Sequence, residues 1–467
     1  MSNILKKSID DIKSKSETTS NLILADVIFH TKEKDLDRKD NIVLTQISIT
    51  KDYVNNMSDV IKANILIPVG TFVFDILPFL SNIEVTIIIK TNDEKLNFKE
   101  RYKALFSLDE NVKVNLRHLG KENLNQTLPP LSLNVQLLDR SIEPLRILYK
   151  PFAFDNKAFK QDKKDIKSIL YSYYGYISNK VLVDNKPCID IIDIEDLDNE
   201  EKIPRLVIPS SVKILDVPFY IQDKSYGMYL GDVGLYIQSF LLDDEIKKCL
   251  FIYSLYNPSK RYKTSEFKME VYIPSISNQD FSTLNFYLDN KTLRVYTNPS
   301  SEADFKDDVK IMSQGSGYSM AHPKSMMRKP VLIEENRVKY RREKIITQMT
   351  YKKREDSLDF ATYEGVSLNH YKKISDVLKR DGFYIDLTCN SLLPHILIPS
   401  HAIKIHKETM LDDKITVKNY YGCLHYVNIT MDISSSEHIL SRKNVSMRIS
   451  TLLRVFVSEY KYDESSK

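Results

Sequence analysis

The sequence predicts an α+β, β-rich protein in which two regions of strand periodicity flank a central α+β region. Two observations predict this. Apolar residues alternate with polar ones from about residue 22 to 140 and again from 383 to 458, while a helical spacing intervenes near 155. The composition agrees: 28 Tyr and abundant Ile and Val suit strands and contact surfaces, and only 11 Gly serve 467 residues, which argues against glycine-rich nucleotide folds.

Taken in order, residues 1–20 read as a leader. The first β region spans 21–140. In it, Ile47-Ser48-Ile49-Thr50 and Ala63-Asn64-Ile65-Leu66-Ile67 are two strands. The polar run Lys51 to Asp59 between them reads as a connection that projects outward. "DILPFLSN" (75–82) reads as a tight connection. Ile83, Val85, Ile87 and Ile89 then alternate with Glu84, Thr86, Ile88 and Lys90, and Val112, Val114 and Leu116 repeat the pattern, as do Leu131, Leu133, Val135 and Leu137. Short strands with polar turns predict a sandwich or barrel.

The central region spans 141–296. Phe159, Ile166, Ile169, Leu170 and Tyr173 fall at helical spacing, with Gly175 as the expected C-cap. "PCIDIIDIEDLDNEEKIPRLVIPSS" reads as a strand, an acidic turn and a second strand. A short helix follows, with Asp216 as its cap, Pro218 in its first turn and Gly227 at its end. "CLFIYSLYN" and "FKMEVYIPSI" are strands again. Residues 297–330, polar and rich in Gly and Pro, form a loop or linker. Residues 331–467 hold a basic segment and the second β region, where Val427, Ile429 and Met431 share one face and Val445, Met447 and Ile449 alternate.

Composition excludes several classes. A net charge of +4 provides no whole-chain field for nucleic acid or anionic membrane. Cys188, Cys249, Cys389 and Cys423 form no CxxC pair and read as buried free thiols in a reducing compartment. The first twenty residues lack an apolar h-region, and no apolar run approaches the ~20 residues of a membrane helix. There is no GxSxG, HExxH or GxxxxGK[ST].

Four other features carry chemistry only in principle. The acids Asp190, Asp193, Glu195, Asp196, Asp198, Glu200 and Glu201 invite a calcium loop, yet a loop begun at Asp196 has Glu201 where the turn Gly belongs and Val207 at the last ligand. A solvated turn is the reading adopted. His395, His401, His406 and His425 with Cys389 and Cys423 lack the paired spacing of a structural zinc site, so no metal and no cofactor is expected. Residues 324–356 carry eleven cations against five carboxylates, which suits a solvated strand face or an acidic partner. The tyrosines at 171, 173, 174 and 176, and at 220, 226, 229 and 236, suit either a core or an interface.

The order of elements resembles the baseplate hub proteins of contractile-tailed bacteriophages. The opening strands through "LPFLSNIEVTIIIK", with Glu84 on the strand after the loop, resemble the first tube-forming domain of those chains. "LVIPSSVKILDVPFYIQDKSYGMYLGDVGLYIQSF" resembles their strand end at Ile208-Pro209, short helix, and "YGIY" turn, here Tyr226-Gly227-Met228-Tyr229 before Gly231. Met228 departs from the pattern, and Pro218 shortens the helix. "FYIDLTCNSLLPHILI" resembles the entry to a second tube-like domain.

The resemblance implies two tube-forming, barrel-like β modules per chain and a homotrimer in which three chains supply six quasi-equivalent positions. It implies a structural virion protein of the tail baseplate, assembled in the host cytoplasm. Its partners would be the tail tube protein, the spike and the baseplate wedge proteins, with passage of DNA through the channel and no membrane contact. No residue is expected to be catalytic. Tyr226, Gly227 and Tyr229 are expected to fix a turn at an interface, and Lys339, Arg341 and Arg342 to face a partner or the channel. The rival readings are a tail-associated cell-wall hydrolase and a nucleic-acid-binding protein using 324–356.

Overall fold

Each predicted alternation becomes one buried and one outward face. The computed structural model describes residues 24–91, 94–107, 130–158, 162–200, 202–274, 286–289, 291–297, 303–304, 319–321, 332–334, 382–390, 392–411, 414–433 and 447–461. Val112, Val114, Leu116, Phe159 and Val445 lie outside these residues, as do Lys339, Arg341 and Arg342.

In the first β region the long described strands are antiparallel and follow the spatial order Val43–Asp52, Val60–Ile67, Leu131–Asp139, Phe98–Ser107, Glu84–Lys90, Leu24–His30, with the short Asp35–Leu36 beyond the last. Ile83, Val85, Ile87, Ile89, Leu131, Leu133, Val135 and Leu137 are all buried as their spacing predicts. Each large apolar side chain so buried stabilises the fold by roughly 1.5–3 kcal/mol. The connection before Glu84 is longer and more helical than expected. Residues 69–82 pass through an α turn, a π turn and a 3-10 turn that begins at Leu77-Pro78, burying Phe72 and Ile76.

The central region forms a second layer. Helix Ile166–Lys180 starts where Asp165 accepts the Ser168 N–H at 2.6 Å and buries Ile166, Ile169, Leu170, Tyr173, Tyr174 and Ile177. Gly175 is not its C-cap. The apolar stripe continues through Ile177 to Val181, so packing carries the helix past a residue that weakens it by about 1 kcal/mol. Helix Val217–Lys224 has Pro218 in its first turn, while the Asp216 side chain makes no capping bond. A three-stranded sheet places Ile191–Ile194 parallel to Glu245–Ser254, which pairs antiparallel with Val233–Leu242. It is covered on both faces. Tyr236, Phe251 and Tyr253 pack toward the large sheet, and Leu235, Ile237, Leu250 and Ile252 toward the helices. Three layers result, with two cores.

The second β region shares its sheet with the first. Strand Lys414–Ile433 is the spine. Along one edge it pairs with Met447–Lys461, which pairs in turn with Phe383–Asn390. Along its other edge it meets two strands end to end: Ala402–Leu411 against its first half, and Gln46–Asp52 against Tyr426–Asp432. The sheet forks between them, at Leu424 and His425. The Leu424 N–H goes to the His401 carbonyl at 3.1 Å, and the His425 carbonyl receives the Tyr53 N–H at 2.9 Å. Lys268–Ile273 and Thr292–Tyr296 extend the far flank in parallel. Among the described residues the strands of the two β regions join in one large, mixed, branched sheet that does not close on itself, separate from the three-stranded sheet of the central region. Leu393-Pro394, like Leu77-Pro78, opens a 3-10 turn.

Candidate functional site

The fork is held by buried charge. In Val43–Asp52 the inward face carries Ile47, Ile49 and then Lys51, which is 1% exposed. The Lys51 ammonium lies 2.6 Å from Asp59 Oδ2 and donates to Gln238 Oε1 at 3.2 Å. Tyr236 donates to the other Asp59 oxygen at 3.0 Å, Tyr53 donates to Gln238 Oε1 at 3.4 Å, and Gln238 Nε2 donates to the Leu397 carbonyl. The run Lys51–Asp59 is therefore not a projecting connection. It is the seat of the central layer, and the Ile237 N–H closes on the Met57 carbonyl at 2.9 Å. Taking an ammonium out of water costs several kcal/mol, which the Asp59 carboxylate and the Gln238 amide oxygen offset.

A second cluster corrects the reading of the acidic run as a solvated turn. Glu195 is 7% exposed and Arg261 4%. Arg261 Nη1 sits 3.0 Å from Glu195 Oε2, which also accepts the Ser254 N–H at 2.7 Å, while Arg261 Nε donates to the Ser400 carbonyl at 3.1 Å. Asp190 accepts the Lys248 N–H at 2.8 Å and Asp198 the Leu230 N–H at 2.7 Å. These acids serve as acceptors for the central layer's amides and for Arg261. Asp196 stays at the surface, 2.6 Å from Lys167. Burial pushes the Asp193 carboxyl up, against the pull of Arg261.

In the third cluster the Lys248 ammonium pairs with both Glu100 and Asp139. Ser239 and Tyr102 donate to Glu100 at 2.6 and 2.8 Å, and Ser141 Oγ donates to Asp139 at 2.5 Å. Burial alone would pull Lys248 down, but the two carboxylates outweigh it and hold the ammonium above its usual range. Burial likewise works against Asp139, yet Lys248 and Ser141 hold its carboxyl low. The space beside Asp59, Glu100 and Asp139 is about 10 Å³, enough for a water molecule and far too small for a sugar.

The turn expected from Tyr226, Gly227 and Tyr229 is built by two amide side chains. Gln222 Oε1 accepts the N–H groups of Met228 and Tyr229 at 2.8 and 3.0 Å, and its Nε2 donates to the Tyr229 carbonyl at 2.9 Å. Asn199 Nδ2 donates to the carbonyls of Tyr226 and Gly227, both at 3.1 Å. Gly227 has φ 72°, a left-handed conformation that a side chain would strain. The Tyr229 hydroxyl donates to the Glu195 carbonyl at 3.0 Å, so the turn and the Arg261 cluster are one structure. The Tyr226 hydroxyl donates to the Arg205 carbonyl at 2.8 Å nearer the surface.

The other tyrosines divide by their hydroxyls. Tyr173 and Tyr174 are buried and donate to the carbonyls of Lys150 and Ile214, whereas Tyr171 and Tyr176 are exposed. All four cysteines are buried free thiols. Among the described residues no three His, Cys, Asp or Glu side chains converge as metal ligands, and no helix is long and apolar enough to cross a membrane.

Sequence reasoning missed Lys51, Asp59, Gln238, Glu195, Arg261 and Lys248. For Lys51 a signal existed, since it continues the spacing of Ile47 and Ile49 on the inward face. Arg261 and Glu195 meet across 66 residues with no local pattern.

His395 and His401 lie beside these clusters, stacked on Phe98 and packed near Arg261. Burial first, then Lys51 for His395 and Arg261 for His401, pulls both pKa values down to about 3. The unfolded chain, with histidine near 6.5, binds more protons between pH 6.5 and 3. The stability these histidines allow is thus complete above pH 6.5 and lost as pH falls through that window, by about 1.4 kcal/mol per unit for each residue. Urea midpoints are expected to hold between pH 7.5 and 6.5 and then to fall steadily down to pH 4.5. A flat profile across pH 6 to 4.5 contradicts this.

No family model matches the chain, and no curated protein matches it. Among solved structures it is similar to a 43 kDa tail protein of prophage MuSo2 from Shewanella oneidensis, at 8% identity and TM-score 0.45, covering 92% of this chain and 97% of that one. It is similar to the half-lidded Francisella PdpA–VgrG complex at 11% identity and TM-score 0.34, covering 100% of this chain and 66% of that one. A topological model of the p2 virion baseplate in its activated conformation matches at 10% identity and TM-score 0.26, covering 94% and 99%. The structural neighbours are therefore phage tail and baseplate proteins and a VgrG complex, all at low identity and low TM-score.

Proposed function

We propose that this chain is a structural hub of a contractile phage tail baseplate, a homotrimer that joins the tail tube to the central spike and the surrounding wedge proteins. The observation that carries this reading is the spine strand. One edge of Lys414–Ile433 holds both the strand of the second β region and Gln46–Asp52 of the first, so one chain presents two β units in a fixed relation. Three such chains supply six β units, which is what an adaptor between a three-fold spike and a six-fold tube requires. The motifs around Glu84, Ile208-Pro209 and Tyr226 to Tyr229 support the same reading, and so does the character of the charged clusters, which are consumed in joining layers.

In this proposal the β units act as barrel-like staves completed by neighbouring chains, and the ring they form is the channel through which DNA passes. Lys339, Arg341 and Arg342 face that channel or a partner, and the turn at Tyr226, Gly227 and Tyr229 supports an interface. The protein then resides in the virion tail and is assembled in the host cytoplasm. The test is mass in solution, alone and with tail tube and spike proteins, followed by imaging of the assembly. A species of three 54.3 kDa chains with a ring of six similar lobes is expected. A chain that stays monomeric even with those proteins overturns the proposal.

A further inference from the structure

Two surfaces of opposite character lie on either side of the segment Ser211–Asp216. On one side, Ile147, Leu148 and Tyr149 are 64%, 41% and 51% exposed in succession. Their backbone is tied to the segment, with Tyr149 bridging Lys213 and the Ile214 N–H donating to the Leu148 carbonyl at 3.1 Å. Tyr176, 48% exposed, continues the patch under the Lys150 ammonium, 4.8 Å from its ring centroid. The charges here are cations. Arg146 donates to Ser58, and neither it, Lys150 nor Lys213 forms an ion pair among the described residues. The nearby acid Glu143 is already held by Lys103 at 3.0 Å.

On the other side of the same segment is a groove of about 480 Å³, between Asn55 to Met57 and helix Val217–Lys224. Its walls include the half-buried rings of Phe219 and Tyr220. Its charges are the carboxylates of Asp216 and Asp223 against the single ammonium of Lys224, and the two acids form no ion pair among the described residues. So an apolar patch edged by cations adjoins an apolar groove edged by carboxylates. An exposed run of three large apolar residues is a mark of contact with another protein. Complementary charge at the rim selects the partner and its register.

We infer that the patch of one chain docks into the groove of a second copy, so that the two sides of Ser211–Asp216 serve two different neighbours in a ring. This rests on the hub reading for the count of three and adds to it the surfaces that meet. A head-to-tail contact closes a ring of three when each copy is turned by a third of a circle from the last, and the adjacency of patch and groove fits a segment placed where neighbours converge.

The experiment is charge reversal followed by restoration, read by the dissociation of the oligomer on dilution. The full chain carrying Lys150→Glu with Lys213→Glu is expected to dissociate about ten-fold more readily or worse, and so is the chain carrying Asp216→Lys with Asp223→Lys. All four substitutions in one chain are expected to restore most of the loss, because patch and groove are then complementary again. Far-UV circular dichroism and the melting temperature of each monomer separate lost assembly from lost folding, and the conservative pair Lys213→Gln with Asp223→Asn gives a milder version at exposed positions. If the unaltered chain is a trimer and neither reversal weakens it, or if the four-fold variant shows no recovery, the docking inference falls while the hub proposal stands. If the unaltered chain is a monomer under all conditions, including with tail tube and spike proteins, both fall.

Discussion

Replacing Glu195 with Ala is expected to destabilise the protein by about 3–5 kcal/mol, the cost of leaving a buried cation without its counter-ion. Arg261 is only 4% exposed. Its guanidinium meets Glu195 Oε2 at 3.0 Å and the Ser400 carbonyl at 3.1 Å, and removal of the carboxylate takes away its paired oxygen and leaves the more distant charge of Asp193. The Ser254 N–H loses its 2.7 Å acceptor at the same time. The damage should spread, because the Tyr229 hydroxyl donates to the carbonyl of the same residue and Ser400 Oγ donates to the Ser254 carbonyl. The paired replacement Glu195→Leu with Arg261→Met is expected to cost clearly less than Glu195→Ala, since no charge is stranded. Urea unfolding of the three chains decides it. A loss below about 1 kcal/mol for Glu195→Ala, the range of an exposed pair, means that the pair is solvated.

Replacing Gly422 with Ala is the second large effect expected, and it tests the fork itself. A Cβ at this position would lie 2.4 Å from Val455 Cγ1 and 2.9 Å from the Phe456 carbonyl oxygen. The Val455 methyl belongs to a stiff β-branched side chain and the carbonyl to the neighbouring ladder, so neither swings aside. Overpacking of this sort costs typically 1–3 kcal/mol. Pairing with Met447–Lys461 shifts register between Tyr421 and Gly422 and again between Leu424 and Tyr426, on the approach to the point where the sheet forks. The variant is therefore expected to speed hydrogen exchange in Gln46–Asp52 and Tyr426–Asp432 more than in Leu131–Asp139. Gly70→Ala is the control, because a Cβ there meets nothing within 4 Å. Equal stability and equal exchange in the two variants would sink the idea that Gly422 holds the junction.

Much of the local structure was legible because local structure obeys short periods. The alternation at 83–89, 131–137 and 427–431 marked inward faces, and all of those apolar residues are buried. Ile166, Ile169, Leu170 and Tyr173 marked one face of a helix, and Pro218 its neighbour's first turn. Gly175 misled because a weak helix former is outvoted by a packed stripe on both sides of it. The acidic run misled for a different reason. Acids beside a turn are usually solvated, and nothing near Glu195 in sequence announces Arg261.

The buried charges at the fork show where local reading stops. Ile47 and Ile49 gave the direction of a strand face, and Lys51 two residues on obeyed it, although its charge argued for solvent. Its burial depends on Asp59 and Gln238 arriving at the same place, eight and 187 residues away. The tertiary fold alone decided that the two β regions share a spine, that the central layer rests on residues 51–59, and that a basic apolar patch adjoins an acidic groove. Spacing along a chain fixes which face of an element is apolar, because the backbone repeat is local. The partner of a buried charge is set by where distant strands meet, and no repeat in the chain encodes that meeting.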